Sequence, residues 1–389
     1  MKVFHQHGHN FVWNLDSLTK DESGAGHIIS PVNIPSDQIS KRISKGDRKK
    51  SFFDPQFYLP NDAAKKLKTY SFFPDNFLAK FSTRDFIDRA HEIAKICLEF
   101  QHNLGFLYAT IPTRFFPELP DNYLNQLQHL FLEPFLSEYS HISNAAPLLL
   151  TVIVKPIQLE DGILRDELIT WITNFSQLKG VYLIFDNNFH SKQIKDPEYL
   201  SNQLLFIHYL RLNGLEVHVG YTNTEAFLLS VADPTSVSMG AYENLRSFGT
   251  LRLETRDQSS RRSPSPRIYS GKLIQWMDYN SLPALRNLFP NWHNLFDASP
   301  YKAYLLSPTS NLNFQKKEIY KHHFYVFSRL IKNIPENISD RLEYLRTKTS
   351  EAISLFEEIR GKGIVLDSDS DGSHLISWMN ALAIYQTKI

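Results

Sequence analysis

LLLTVIVKP (148–156), GVYLIFDNN (180–188) and LEVHVGY (215–221) are three short apolar runs, each ending in polar residues. Between them lie DGILRDELITWITNFSQL and EYLSNQLLFIHYLRLNG, which repeat apolar residues at helical intervals. Continuous Val, Ile, Leu and Phe, rather than strict alternation, marks strands covered on both faces, as in a parallel sheet. The same pattern extends outward. FLYATIPTRFF (106–116) precedes DNYLNQLQHLFLEPFLSEY, KSFFDPQFYLP (50–60) precedes DFIDRAHEIAKICLEFQ after a long connection, and GHIISPVNI (26–34) precedes SDQISKRIS. On the other side TSVSMG (235–240) leads into AYENLRSF, and RIYSGKLIQW (267–276) into SLPALRNLF. Eight β-then-α units in about 260 residues predict an α/β fold, a (β/α)8 TIM barrel. A doubly wound open sheet is the rival, but its first strand should feed a Gly-rich phosphate turn, and SPVNIPSD is not one.

The expected organisation is a short N-terminal extension (1–25), the barrel (26–300) and a C-terminal helical region (301–389). The extension holds HQHGHNFVWNLDS, read as a hairpin closing one end. From about 315 onward KKEIYKHHFYVFSRLIKN, SDRLEYLRTKTSEAISLFEEIR and SHLISWMNALAIY read as helices, the middle one ended by Gly361 and Gly363. Of 389 residues 42% are hydrophobic, enough for a substantial core, and 13% are aromatic, which disordered chains lack. Formal net charge is +1, so any nucleic-acid contact has to come from local clustering. Cys97 is the single cysteine, which leaves no internal disulfide and no CxxC zinc pattern. The N-terminus has no apolar leader and no run reaches about 18 apolar residues, so a cytoplasmic protein without membrane contact is expected.

In this fold chemistry sits where strands end and loops lead into helices. That rule selects Asp54, Gln56 and Tyr58, then Thr113 and Arg114, Lys155, Asp186, Asn187 and Asn188, Tyr221, Thr222, Asn223 and Glu225, and Ser238. Asp186, Asp54 and Asn188 are the expected catalytic residues, since carboxylates beside cations in a dry cleft serve as acid and base. Arg114, Lys155, Tyr221 and Asn223 are expected to bind substrate. Arg261, Arg262 and Arg267 crowd the loop after SVSMG, where such barrels often hold phosphate, and the planar guanidinium suits phosphate oxygens. A second basic run, KRISKGDRKK (41–50), falls at the opposite face and reads as solvated. The connection 61–84 carries Phe72, Phe73, Phe77 and Phe81, too apolar for a dangling loop, and reads as a packed lid or a surface for a protein partner.

Two further patterns bear on metals. HQHGH places His5 and His7 as an HxH pair, the way metal-dependent amidohydrolases begin their site, with Lys155, His190, His218 and Asp278 loosely in keeping. It stands some twenty residues before the expected first strand, so no metal site and no cofactor are expected. DSDSDGSHLISW (367–378) opens like a calcium loop but has Trp378 where a bidentate Glu belongs, so its Asp and Ser residues read as caps for the last helix.

ISPVNIP, FDNN, the Gly-containing LEVHVGYTNTE and the long loop after SVSMG together resemble strands and insertions of the tRNA-guanine transglycosylase group and its DNA-modifying relatives. That resemblance spans most of 26–290 and implies that Asp186 reads the exchanged base. The chain departs from the group where a nucleophilic Asp would be expected, which is SVSMGAYEN here, and in having no Cys/His zinc cluster. HQHGHNFVWN and DPQFYLP also resemble uncharacterised bacterial barrel proteins found among anti-phage defence genes. Three functions fit these residues: an enzyme or enzyme-derived barrel binding a nucleotide or nucleic acid, a non-catalytic subunit docking through 61–84 or the C-terminal helices, or a metal-dependent hydrolase.

Overall fold

Eight parallel strands pair in the order β3-β2-β1-β8-β7-β6-β5-β4 in the computed structural model, which describes residues 1–58, 65–74, 86–187, 192–248 and 264–389. They are β1 (Lys2–Gln6), β2 (Gly26–Ile29), β3 (Phe52–Phe53), β4 (Ala109–Ile111), β5 (Leu148–Val154), β6 (Leu178–Phe185), β7 (Glu216–Val219) and β8 (Ser236–Gly240). A parallel bridge between Phe52 and Tyr108 joins the two ends of that order, so the sheet closes into a (β/α)8 barrel.

The expected count of eight holds, but the units are shifted by one. Residues 1–25, expected outside the repeat, carry β1 and helix α1 (Phe11–Lys20). KVFHQ escapes detection because its polar members, His5 and Gln6, are fully buried by partners that arrive from later in the chain. RIYSGKLIQW, expected as the eighth strand, is an antiparallel hairpin outside the barrel, β9 (Arg267–Ser270) with β10 (Gln275–Asp278). Its turn is pinned by Asp297, which accepts from the Gly271 N–H at 2.7 Å, and by the Ser270 hydroxyl, which accepts from the Leu273 N–H at 3.1 Å.

The outer layer includes α2 (Ala90–Leu104), α3 (Gly162–Thr173) and α4 (Pro197–Leu212). Among the described residues the chain makes only short helical turns after β7 and β8, and helices from the C-terminal region pack there: α5 (Lys317–Lys332), α6 (Ile338–Gly361) and α7 (His374–Lys388). Helix α5 covers the β8–β1 seam, with Phe324 edge-on to His5 at 4.7 Å and Ser328 Oγ 3.9 Å from Met239 Sδ. Helix α6 reaches the short turn after β7, where Arg341 donates to the Ser230 carbonyl at 3.1 Å. Helix α7 packs on α4, which explains why α4 is buried on nearly every side and shows little amphipathic contrast. Among the described residues, no helix is long and apolar enough to cross a membrane.

Alternation along each strand separates two cores. Val3, Ile29, Phe53, Leu183, Val217 and Val237 face the helices, whereas Phe4, Ile28, Phe52, Tyr108, Leu149 and Tyr182 fill the lumen. The barrel interior is therefore a packed core, and a site has to form above it, at the strand ends. Within 61–84, the described Phe72 and Phe73 are buried in the outer core beside Phe57, as a packed cover of that side, while residues 75–84 lie outside the described residues.

Candidate active site

Past Phe53, Asp54 keeps one more parallel bond, its N–H donating to the Ile29 carbonyl at 3.0 Å, and Pro55 then breaks the ladder. Gln56 turns into the left-handed region at φ +56°, and its N–H donates back to Asp54 Oδ1 at 3.1 Å. That reversal brings Tyr58 over the lumen, where its phenol donates to Asp54 Oδ2. On the far wall Gly220 leaves room for the Tyr182 ring, which any Cβ at 220 would overlap. Tyr221 follows at φ +53°, with its phenol 3.1 Å from that of Tyr58 and accepting from Gln56 Nε2 at 3.2 Å. Tyr182 donates to Gln6 Oε1 at 3.3 Å, and Gln6 donates to Ser30 at 3.2 Å. Three phenols and two amides thus converge on one carboxyl that is fully buried. Burial pushes that carboxyl up to about 7, against the pull of its bonds from Tyr58, the Gln56 N–H and Tyr182, and it drives the Tyr58 and Tyr182 phenols upward as well.

A second group lies at the ends of β5 and β6. Asp186 is anchored by its N–H, which donates to the Val154 carbonyl at 2.8 Å. Its Oδ2 stands 3.8 Å from Lys155 Nζ, and its Oδ1 is buried without a partner among the described residues. Burial raises this carboxyl too, with Lys155 opposing. Lys155 donates to the carbonyls of Phe116 at 2.9 Å and Pro117 at 2.5 Å, and its ammonium lies 4.8 Å over the Phe115 ring. The neighbouring Arg114 stacks its guanidinium 5.7 Å from the centre of Phe116.

Phe248 separates the two groups. Its ring meets Tyr58 at 5.4 Å, Tyr221 at 5.6 Å and Phe115 at 6.0 Å, and its carbonyl accepts from the Asn187 N–H at 3.0 Å. Three residues earlier Leu245 seats in a cradle formed by Gly8 and Gly240, either of which it would overlap if a Cβ were added. Residues 241–248 therefore lie across the mouth.

Of the expected residues, the fold brings Asp54 and Tyr221 into the lower group and Asp186, Lys155 and Arg114 into the upper. Asn223 is spent on scaffolding: it donates to the Lys192 carbonyl at 3.0 Å and accepts from Trp276 Nε1 at 3.2 Å. Its N–H donates to Glu225, a buried carboxyl pushed up to about 7 by desolvation. Arg267 is paired elsewhere: it donates to Ser370 at 2.6 Å and Asp367 at 3.0 Å, with Asp278 and Asp369 at 3.7 and 3.8 Å. Its guanidinium sits among the carboxylates of the calcium-like loop; Asp371 accepts from the Ser373 N–H at 2.9 Å just before α7, and the expected side-chain cap on that helix is not formed. Asn188, His190, Arg261 and Arg262 lie outside the described residues. Tyr182 escapes sequence reading because strand residues in apolar runs show no parity until the barrel is closed, and Gln6 and Phe248 because their partners lie far away in the chain. Gly220 beside a lumen-facing Tyr is the one local hint.

The histidines lie elsewhere. His5 and His7 project from the outer face of β1 toward α1 and α5, with His27 alongside at 5.5 and 4.8 Å. His5 donates to the Ser23 carbonyl at 2.6 Å and accepts from Asn14 at 3.2 Å, as a buried neutral ring. His218 faces the lumen at the other end, 2.8 Å from the Ser236 hydroxyl. Among the described residues no three His, Cys, Asp or Glu side chains are grouped to hold a metal ion.

Fold and mouth together define a (β/α)8-barrel protein with Asp54 and Asp186 buried at its C-terminal face. No family model, curated protein or solved structure matches the chain, so its function has to be read from these residues.

Proposed function

We propose that this protein is an enzyme, or a barrel derived from one, that binds a nucleotide or a nucleotide unit of a nucleic acid at the C-terminal face. The observation that carries this reading is Asp186, a buried carboxyl with one oxygen lacking a partner among the described residues and Lys155 3.8 Å from the other. A carboxylate in that state suits the N–H edge of a base, because a buried acceptor left unpaired costs about 1–3 kcal/mol that a donor would relieve. Lys155 and Arg114 border the same opening and supply positive charge for a phosphate. Asp54, with its proton in balance near neutral pH, is the group suited to move a proton. Arg267, paired with Asp367, is not used in this reading.

Titration of the purified protein with labelled nucleotides and single-stranded oligonucleotides at two salt concentrations tests it. Asp186→Asn is expected to weaken binding by about tenfold, roughly 1.4 kcal/mol, with melting temperature preserved. Lys155→Met should weaken binding and flatten its salt slope by about one. An unaltered affinity in both variants, or no binding by the wild type across the panel, overturns the proposal. A part in defence against phage, which the resemblance of HQHGHNFVWN and DPQFYLP implies, belongs to the same proposal. Plaque counts on bacteria expressing wild type or Asp186→Asn test it, and equal counts would remove it.

A further inference from the structure

The geometry points to Phe248 as an internal stand-in: we propose that the slot walled by Tyr58, Tyr221 and Phe115 takes the planar heteroaromatic ring of a ligand, and that Phe248 fills it when no ligand is bound. This inference rests on the nucleotide reading above and names where the base goes.

Phe248 meets all three walls edge-on, at 5.4 Å from Tyr58, 5.6 Å from Tyr221 and 6.0 Å from Phe115. Those separations and tilts suit a flat aromatic ring. A phenyl ring nevertheless offers no polar edge to the groups around the slot. Beneath it are the Tyr58 and Tyr221 hydroxyls and Gln56, bonded to Asp54 and to one another. Above it, next to the bridge that ties Phe248 to Asp186, is Asp186 Oδ1, without a partner among the described residues. A ring with N–H and carbonyl groups on its edges could bond at both levels, as phenylalanine cannot.

The walls themselves add a second line. Gln56 and Tyr221 both stand in the left-handed backbone region, at φ +56° and +53°, and their side chains meet beside the slot. Non-glycine residues rarely adopt that conformation, and where they do they gather at ligand sites more than in ordinary cores. The plug is also seated for reversible closure. Leu245 rests in the glycine cradle of Gly8 and Gly240, and the backbone at Phe248 is tied to the Asn187 N–H. Withdrawing Phe248 would open the slot at the cost of its isolated bridge to Asp186, leaving the pairing of the eight barrel strands intact.

If Phe248 competes with the ligand, removing its ring raises apparent affinity by the inverse of the open fraction. Equilibrium dialysis of the full chain against the four common ribonucleosides, with toluene as an apolar ring of similar width, measures this in wild type, Phe248→Ala and Phe248→Leu. Phe248→Ala should bind at least one nucleoside about tenfold tighter than wild type, and Asp54→Asn in that background should remove the gain. Should Phe248→Ala fail to fold, Phe248→Leu carries the test with a gain of about threefold. A variant that gains toluene but no nucleoside has a plain packing cavity, which overturns the inference. Nucleotide binding by the wild type with no change on losing Phe248 overturns it too, leaving the nucleotide reading intact. Absence of nucleoside and nucleotide binding in wild type and both variants would end both.

Discussion

Asp54→Asn should abolish a pH dependence of stability that the wild type carries. The Asp54 carboxyl is raised from 3.8 to about 7 because burial disfavours its charge. A raised folded value means the folded chain holds the proton more tightly than the unfolded chain. The stabilisation is therefore fully present below pH 3.8 and is lost as pH rises through 7. Between pH 5 and pH 9 the loss amounts to about 3 kcal/mol, since each unit of displacement is about 1.4 kcal/mol. Asparagine keeps the shape: its carbonyl can accept from the Gln56 N–H, and its amide can donate to the Tyr58 hydroxyl, which then donates to Tyr221. The assay is urea unfolding of both proteins at pH 5, 7 and 9, read as the difference in unfolding free energy. Other titrating groups, Glu225 and the buried histidines among them, remain in both proteins and cancel in that difference. The variant should gain on the wild type by about 3 kcal/mol from pH 5 to pH 9. A difference flat to within about 0.5 kcal/mol would refute the account of Asp54 as a neutral, proton-holding carboxyl.

Other perturbations test the scaffold. His7 is buried and held down to about 3, so its stabilisation is present above pH 6.5 and is lost as pH falls toward 3; His7→Phe should lose about 2 kcal/mol less than wild type between pH 7 and pH 5, read from urea midpoints. Gly220→Ala forces a Cβ into the Tyr182 ring and should cost about 1–3 kcal/mol, seen as a lower melting temperature. Arg267→Ala leaves Asp278, Asp367 and Asp369 facing one another without their guanidinium. It should cost about 2 kcal/mol at pH 7, a buried pair discounted for partial exposure, read from urea midpoints.

The barrel was legible because its strongest signal is local. In LLLTVIV and GVYLIF every residue is apolar or small, since both faces of these strands are covered, and the polar step that follows marks where each strand leaves the sheet. The same step marks Asp54, Lys155, Asp186 and Tyr221 as residues at strand ends. Units one and eight were misplaced because their signals are not local. KVFHQ reads as polar until Ser23, Asn14, Ser30 and Tyr182 arrive to satisfy His5 and Gln6. RIYSGKLIQW looks like a buried strand, yet Gly271 and Asp297 turn it back on itself.

Sequence alone determined the fold class and the ends of the central strands, because hydrophobic period and polar punctuation act within a dozen residues. Tertiary structure decided which polar residues meet. It spent Arg267 on the loop at 367–371, a hundred residues away in the chain, and Asn223 on Lys192 and Trp276. It also set Tyr58, Tyr182 and Tyr221 around Asp54 and laid Phe248 over them. Closing a barrel brings every strand end to one rim, so residues far apart in sequence become neighbours. The charge state of each then depends on burial and partners that its local sequence does not contain.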